Sequence, residues 1–370
     1  MAKGRIGLDV GSTAVRAAEL SGGSPPAVLR AAQVPLPDGA VENGEVRDPG
    51  VVAEALRELW RRGGFKSRQV YLGVGNQRVV VREIAIPWLP EKELRASLGF
   101  QVQEFIPMSV DEAVLDFDPL GEFEQEDRRM LRILLVAAQR VMVDALVQAA
   151  QGAKLEPVGL DLVPFALVRA VGTGVGMDLE LPGEEAIVDI GAHVTNIVVH
   201  ARGMTRFVRI LPSGGRDVTL AIARAAGIDD AVAERLKRGE RVEPAELRAT
   251  PAGGEEGDPD AADVEPPSPD DVRAVALTRA SAFVDEIRSS LEFYAAQSRD
   301  SRIGHVVVTG GGSKLDGLLE LMRERIPVQV DPGRVFQHVA SQLSLSEEAS
   351  TDAEPVLAVA VGLAIPGRET

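Results

Sequence analysis

Ile6-Gly7-Leu8-Asp9-Val10-Gly11-Ser12-Thr13 is answered 180 residues later by Ile187-Val188-Asp189-Ile190-Gly191-Ala192-His193-Val194-Thr195. Each stretch reads as an apolar strand, an aspartate, an apolar residue, a glycine, a small residue and then a second strand. A strand-turn-strand repeated at about one domain length predicts two related domains that face each other. The turn suggests the chemistry. Glycine beside small residues exposes consecutive backbone N–H groups and lets a phosphate oxygen approach with no Cβ in the way. Two such turns can grip phosphates from both sides. Asp9 and Asp189, at the strand ends, are then candidate ligands for Mg²⁺, held through water because that ion sheds its hydration reluctantly.

A third motif, Val306-Val307-Val308-Thr309-Gly310-Gly311-Gly312-Ser313-Lys314-Leu315, runs a strand into a bare glycine loop, where a flat base and ribose can lie against backbone. The sequence holds neither a Walker A motif nor G-x-G-x-x-G, so neither P-loop nor dinucleotide-type binding is supported. Around these motifs the pattern predicts strands at 6–10, 15–20, 27–34, 70–74 and 79–86, with an amphipathic helix at 51–61 ended by Gly63-Gly64. A helix opens at Pro90, carries the apolar stripe Leu94, Leu98, Val102 and Phe105, and stops at Pro107. Strands at 114–117 and 130–137, a helix at 141–150 and a strand at 158–162 complete a β/α module of about residues 84–160. The second hairpin leads to a strand near 207–211 and helices at 217–226, 273–297 and 316–325.

Composition narrows the function further. The 370 residues suffice for about two domains, and a hydrophobic share of 45% with 26% charged residues predicts a folded chain. With no cysteine there is no disulfide, thiolate metal site or thiol nucleophile. A net charge of −16 repels a phosphate backbone and argues against nucleic acid. Residues 250–271 hold eight acids, five prolines and no Lys or Arg; this loop is expected to be disordered, and without it the charge falls to −8. No signal peptide is legible, and the longest apolar run, residues 356–365, is about half of the ~20 residues a membrane span needs. The four histidines have no metal-ligand spacing, and no G-x-S-x-G points to a hydrolase.

The three motifs together resemble those of the actin-like ATPase superfamily, and more closely its FtsA-like branch, which contains the PilM family of type IV pilus assembly proteins. The resemblance covers nearly the whole chain. It implies an α/β, actin-like (ribonuclease H-like) two-lobed fold with an FtsA-type inserted subdomain. The lobes would be 1–83 with 161–185, the inserted subdomain 84–160, the second-lobe core 186–220 with 303–370, and a second-lobe subdomain 221–302. It also implies ATP and Mg²⁺ as cofactors. The first phosphate motif then contributes Gly11, Ser12, Thr13 and Arg16, where relatives often have Lys, and the second contributes Gly191 and Ala192. Leu211-Pro212-Ser213-Gly214-Gly215 resembles the turn beside the nucleotide, residues 233–239 the helix whose Glu234 and Lys237 flank adenine and ribose, and Gly310, Gly311, Gly312 and Ser313 the adenosine motif. Residues 355–365 resemble the closing helix. The closer match rests on residues 91–120, with Gln103-Glu104-Phe105-Ile106-Pro107 and Asp111-Glu112-Ala113-Val114-Leu115-Asp116-Phe117.

Two departures shape the expected activity. Hydrolytic relatives often place Glu or Gln near a proline to orient the attacking water; here the segment is Leu160-Asp161-Leu162-Val163-Pro164, so the place falls to Val163, and Asp161, which reads equally as an ordinary strand-end acid, is the nearest catalytic candidate. Weak or no ATPase activity follows. FtsA proteins carry a C-terminal amphipathic anchor, whereas this sequence stops at Thr370, so membrane contact is expected through a partner. The resemblance implies a cytoplasmic ATP-binding adaptor at the inner membrane that docks the cytoplasmic N-terminal segment of PilN. Other components of the pilus inner-membrane complex are further candidate partners. Leu94, Leu98, Gln101, Val102 and Phe105 are the contact candidates on the module; Leu94, Leu98, Val102 and Phe105 read at least as well as packing the helix on its own sheet, and Gln101, off that stripe, tests the idea better. The alternatives are an FtsA-like polymerising ATPase of division or secretion assembly and, behind it, a small-molecule kinase.

Overall fold

A computed structural model describes residues 4–23, 25–173, 183–243, 246, 268–297 and 302–367. The chain opens with β1 (Arg5–Val10), β2 (Ala14–Leu20) and β3 (Ala27–Pro35), an antiparallel meander in which Asp9 stands opposite Arg16. Asp48 accepts from the N–H groups of Gly50 and Val51 to start α1 (Pro49–Gly63), and Gly64 ends it with a left-handed φ of 63°. β4 (Gln69–Val74) then runs parallel to β1.

The inserted module comprises β5 (Val79–Pro87), α2 (Glu91–Val102), β6 (Ala113–Gln125) and β7 (Arg128–Gln139), in a separate sheet of order β5-β7-β6. Its core gathers Ile86, Leu94, Val102, Phe117, Ile133 and Leu135. β6 and β7 form one long hairpin, turning at Glu126 (φ 49°) and Asp127 (φ 59°), where the sequence suggested two short strands. The distal halves are charged and exposed on both faces, which hides the period-two signal.

The module is also tighter than the expected 84–160. α3 (Arg140–Gly152) buries Met142, Leu146 and Ala149 in the first lobe's core, and β8 (Glu156–Leu162) pairs in parallel with β4. Both belong to the first lobe. A one-residue left-handed step at Lys154 (φ 59°), rather than Gly152, turns the chain between them.

After α4 (Val163–Val171) the second lobe repeats the plan with β9 (Glu184–Ile190), β10 (Thr195–Ala201) and β11 (Met204–Leu211). α5 (Gly215–Ala226), α6 (Asp230–Lys237) and α7 (Pro269–Gln297) follow, then β12 (Ile303–Thr309), α8 (Leu318–Arg325) and β13 (Gln329–Pro332). β14 (Ala340–Ser341) joins β3, and α9 (Glu347–Ala364) closes the fold. The sheets run β8-β4-β1-β2-β3-β14 and β11-β10-β9-β12-β13. Each sets an antiparallel meander beside two parallel strands, so the repeated hairpin marks a repeated lobe.

α4 and α9 share one core with residues of both sheets, including Ala18, Val28, Ile187 and Val307. Glycine permits the close approach: a Cβ at Gly7 would lie 2.0 Å from the Ala360 carbonyl oxygen, and one at Gly362 would lie 2.0 Å from that of Ala166. α9 starts eight residues before Pro355, where sequence reading began it, because Ser346 caps it and the proline is carried inside. The Pro355 carbonyl accepts from Gly310 N–H at 3.1 Å, tying α9 to the glycine loop.

α5, α6 and the first half of α7 enclose a small core of Val218, Ile222, Ala233, Val272 and Ala276. This subdomain therefore begins at α5, not at residue 221. Most of the acidic stretch 250–271 lies outside the described residues, but residues 269–271 are helical, because Ser268 and Asp271 cap each other's backbone at the start of α7. Among the described residues no helix is long and apolar enough to cross a membrane.

Candidate functional site

The site gathers the second hairpin turn, the glycine loop and the start of α5, with Asp9 and Arg16 of the first hairpin near enough to act on the Asp189 carboxyl. Gly11 N–H reaches the Ala14 carbonyl at 3.1 Å and Gly191 N–H that of Val194 at 2.9 Å, so both turns close the same way. α5 docks on the second turn, Gly215 N–H donating to the Gly191 carbonyl at 2.9 Å and Arg216 N–H to that of Ala192 at 2.8 Å. A side chain at Gly214 would overlap both carbonyls, at 2.5 and 2.7 Å. Gly310, at φ 88°, leaves no room either: its Cβ would stand 2.4 Å from the Ile190 carbonyl oxygen and 2.6 Å from Asp189 Oδ1. Gly312 lies against Ile190 in the same way, and a Cβ on Gly215 would be 3.6 Å from Gly312 Cα. Backbone thus lines the cleft.

Charged groups complete it. Lys237 Nζ is 2.6 Å from Glu234 and donates to the Gly215 carbonyl at 3.1 Å and Thr219 Oγ1 at 2.9 Å. Burial lowers the Lys237 pKa although Glu234 opposes it, and burial would raise that of Glu234 but Lys237 brings it below the usual range. Ser313 Oγ donates to the Gly310 carbonyl at 2.7 Å, and Gly311 faces open space except for Val356. On the first-lobe side, Arg16 Nη1 lies 3.4 Å from Asp9 Oδ2, and Gly11 abuts that guanidinium, while Ser12 and Thr13 remain at least partly accessible in the turn.

The two aspartates sit in one electrostatic field. Burial pushes the Asp189 carboxyl up to about 6, Asn196 Nδ2 donating to it at 3.0 Å and lowering it, Asp9 raising it and Arg16 lowering it. Burial also raises Asp9, against the pull of Arg16. Asn196 Oδ1 is buried and has no hydrogen-bond partner. Among the described residues no group of three acids or histidines forms a complete metal cage. Mg²⁺ commonly takes one or two carboxylates and completes its shell with water and phosphate. The buried Asp189 carboxylate, the half-buried Asp9 carboxylate and an orphaned amide oxygen that wants a donor fit such an ion.

The structure brings Gly191, Ala192, Gly214, Gly215, Lys237, Gly310 and Gly312 together, with Glu234 behind Lys237 and Asp9, Gly11 and Arg16 facing them from the first lobe. It does not support Asp161 as a catalytic group. Arg169 and the Leu162 N–H hold that carboxylate, and Arg169 Nε donates to the Gly362 carbonyl at 3.1 Å, so Asp161 braces α4 and α9. Val163 is buried, against Gly73 and Gly75. Leu94, Leu98 and Val102 are likewise not a contact face, because they pack α2 onto the module's own sheet; Phe105 is half-buried and Gln101 partly exposed. The residue that α2 does present is Phe100, 86% exposed. Sequence reading missed Phe100 because it lies off the apolar stripe. Asn196 could have been found from hairpin register, since it stands opposite Asp189. Arg216, which joins Asp230 at 2.6 Å and Asp38 of the first lobe at 3.6 Å, carried no local signal.

A family model described as type IV pilus assembly protein PilM matches residues 7–247, and one for the cell division protein FtsA matches residues 186–362. Among solved structures, a PilM-PilN type IV pilus biogenesis complex matches with 29% identity over 97% of this chain and 97% of that one, at a TM-score of 0.80. The ethanolamine utilization protein EutJ from Carboxydothermus hydrogenoformans matches at 17% identity, 98% and 90% coverage and a TM-score of 0.56. ADP-bound MreB5 of Spiroplasma citri matches at 14% identity, 97% and 94% coverage and a TM-score of 0.54. The last two establish the actin-like fold alone.

Proposed function

Since the chain belongs to the type IV pilus assembly protein PilM family, we propose that it is an ATP-binding adaptor that docks the cytoplasmic N-terminal segment of PilN and so sits at the cytoplasmic face of the inner membrane. The observation that carries this reading is the end-to-end agreement with the PilM-PilN complex, inserted module included. ATP would bind between the lobes, its phosphates on the turns at Gly11, Ser12 and Thr13 and at Gly191 and Ala192, with Arg16 as a cationic contact. Gly214, Gly215, Gly310, Gly311, Gly312 and Ser313 would take the nucleoside, flanked by Glu234 and Lys237. Asp9 and Asp189 would hold Mg²⁺, which supplies charge neutralisation for the phosphates. Several loops meet at this cleft, so an occupant touching all of them favours the closed arrangement of the lobes.

Hydrolysis is a weak part of this function. Val163 cannot align a water, and Asp161 is committed to Arg169. PilN would lie between the first lobe and the module as an extended peptide, which needs apolar contacts and backbone partners. With Leu94, Leu98 and Val102 turned inward, Gln101, Phe105 and above all the exposed Phe100 are the module's contact residues in this reading. Vesicles carrying PilN should pull the chain down on sedimentation, and Phe100→Asp should weaken capture while leaving ATP binding intact. Equal sedimentation with PilN-free vesicles would refute the adaptor reading.

A further inference from the structure

We propose that Arg16 is the resident counter-cation of Asp9, and that the metal site forms only after a nucleotide's phosphates have drawn Arg16 away. This rests on the nucleotide reading of the cleft. The hairpin register sets Asp9 and Arg16 directly opposite each other, and their side chains are only 16% and 14% exposed. Little bulk water solvates either charge, so each leans on the other. Gln33, opposite Arg16 on β3, accepts from Arg16 Nε at 2.9 Å and fixes the inner end of the guanidinium. The outer end stays beside the first turn: a Cβ on Gly11 would be 3.1 Å from Arg16 Nη1 and 4.0 Å from Asp9 Oδ2.

Rotation about this pivot takes the guanidinium from a carboxylate to the turn's backbone donors, where phosphates are read to lie. A triphosphate outbids one carboxylate for it, because it carries more charge and matches the planar fork at two oxygens. Asp9 would then be left with little solvent and no cation, beside Asp189, and a divalent ion completed by phosphate oxygens restores the balance. The second carboxylate is ready, since Asn196 Nδ2 holds Asp189 Oδ2 at 3.0 Å and leaves its own Oδ1 unpartnered for a metal-bound water. A lysine at position 16 lacks the Nε–H that Gln33 grips and would not divide its contacts in this way.

Mn²⁺ binding to the full chain, read by electron paramagnetic resonance, tests the order of events. The unmodified protein should hold no Mn²⁺ tighter than about 1 mM without nucleotide, and should acquire a bound ion when ATP is added. Arg16→Met should bind Mn²⁺ without nucleotide at least tenfold more tightly than the unmodified protein, and adding Asp9→Asn should abolish the gain. If Arg16→Met melts early, Arg16→Lys should show a smaller gain in the same direction. A chain that binds ATP but whose Mn²⁺ affinity without nucleotide is indifferent to both substitutions overturns this proposal alone. A folded chain that does not bind ATP overturns the nucleotide reading and the proposal with it.

Discussion

Replacing Glu185 by Gln should cost about 3 kcal/mol of stability at neutral pH, though the residue lies away from the cleft. Glu185 is 1% exposed at the start of β9. Burial would raise its carboxyl, but hydrogen bonds from His200, His305 and Thr173 outweigh burial and bring it to about 2, from 4.5. Gly203 N–H donates to His200 Nδ1, so Nε2 carries the proton offered to Glu185 at 3.0 Å. His305 faces Glu185 with Nδ1 at 2.9 Å and Asp331 with Nε2 at 3.1 Å, and both acids raise its pKa. Thr173, the first-lobe end of the crossover after α4, donates its N–H and hydroxyl to the same carboxylate. Lowering a carboxyl from 4.5 to about 2 corresponds to about 3 kcal/mol. Because the folded pKa is the lower one, this stability is fully present above about pH 5 and drains away as pH falls toward 2, a sizeable part of it being gone by about pH 3.5. His305 works the other way, its contribution being complete below its unfolded pKa of about 6.5 and lost as pH rises through the raised folded value. The assay is urea unfolding of the unmodified protein and Glu185→Gln from pH 3.5 to 8. A difference below about 0.5 kcal/mol at pH 7, or one that does not shrink on acidification, would refute the assignment.

Three further outcomes are expected. Gly310→Ala should lose about 2–4 kcal/mol and the stabilisation conferred by ATP, since the methyl would overlap Ile190 and Asp189 at a left-handed φ; unchanged thermal unfolding and an unchanged ATP shift would contradict the packing argument. Single-turnover assays should find little hydrolysis by the unmodified chain and roughly 10²-fold more in Val163→Glu if only a water-orienting group is missing, whereas brisk native turnover would show that another group performs the task. Arg169→Ala should destabilise the protein by about 1–3 kcal/mol, through the unpaired Asp161 carboxylate and the Gly362 carbonyl, without changing nucleotide affinity; a selective loss of turnover would return Asp161 to the catalytic candidates.

Which of these features a reader of the sequence could see depended on how local they are. The two hairpins were legible because strand, aspartate and glycine are contiguous and recur, and the glycines converge because each touches a segment of its own lobe. The module's limits were not. α3 and β8 have the same β/α grammar as the module before them, and only the long-range pairing of β8 with β4 assigns them elsewhere. Helical spacing groups Leu94, Leu98 and Val102 as one face but cannot decide between a partner and the module's own sheet, and the sheet is what that face meets. Asp161 looked available because its partner comes eight residues later on another element. The Glu185 cluster draws on His200, 15 residues away, and His305, 120 away, so no window of sequence contains it.

Titrating a fluorescent peptide of PilN's N-terminal cytoplasmic segment into the purified chain, with anisotropy followed with and without ATP, decides whether the protein is an adaptor. Saturable one-to-one binding, tighter in the presence of ATP and weakened by Phe100→Asp, is the expected result. A folded chain that binds ATP but gives no saturable anisotropy change in either condition would contradict it.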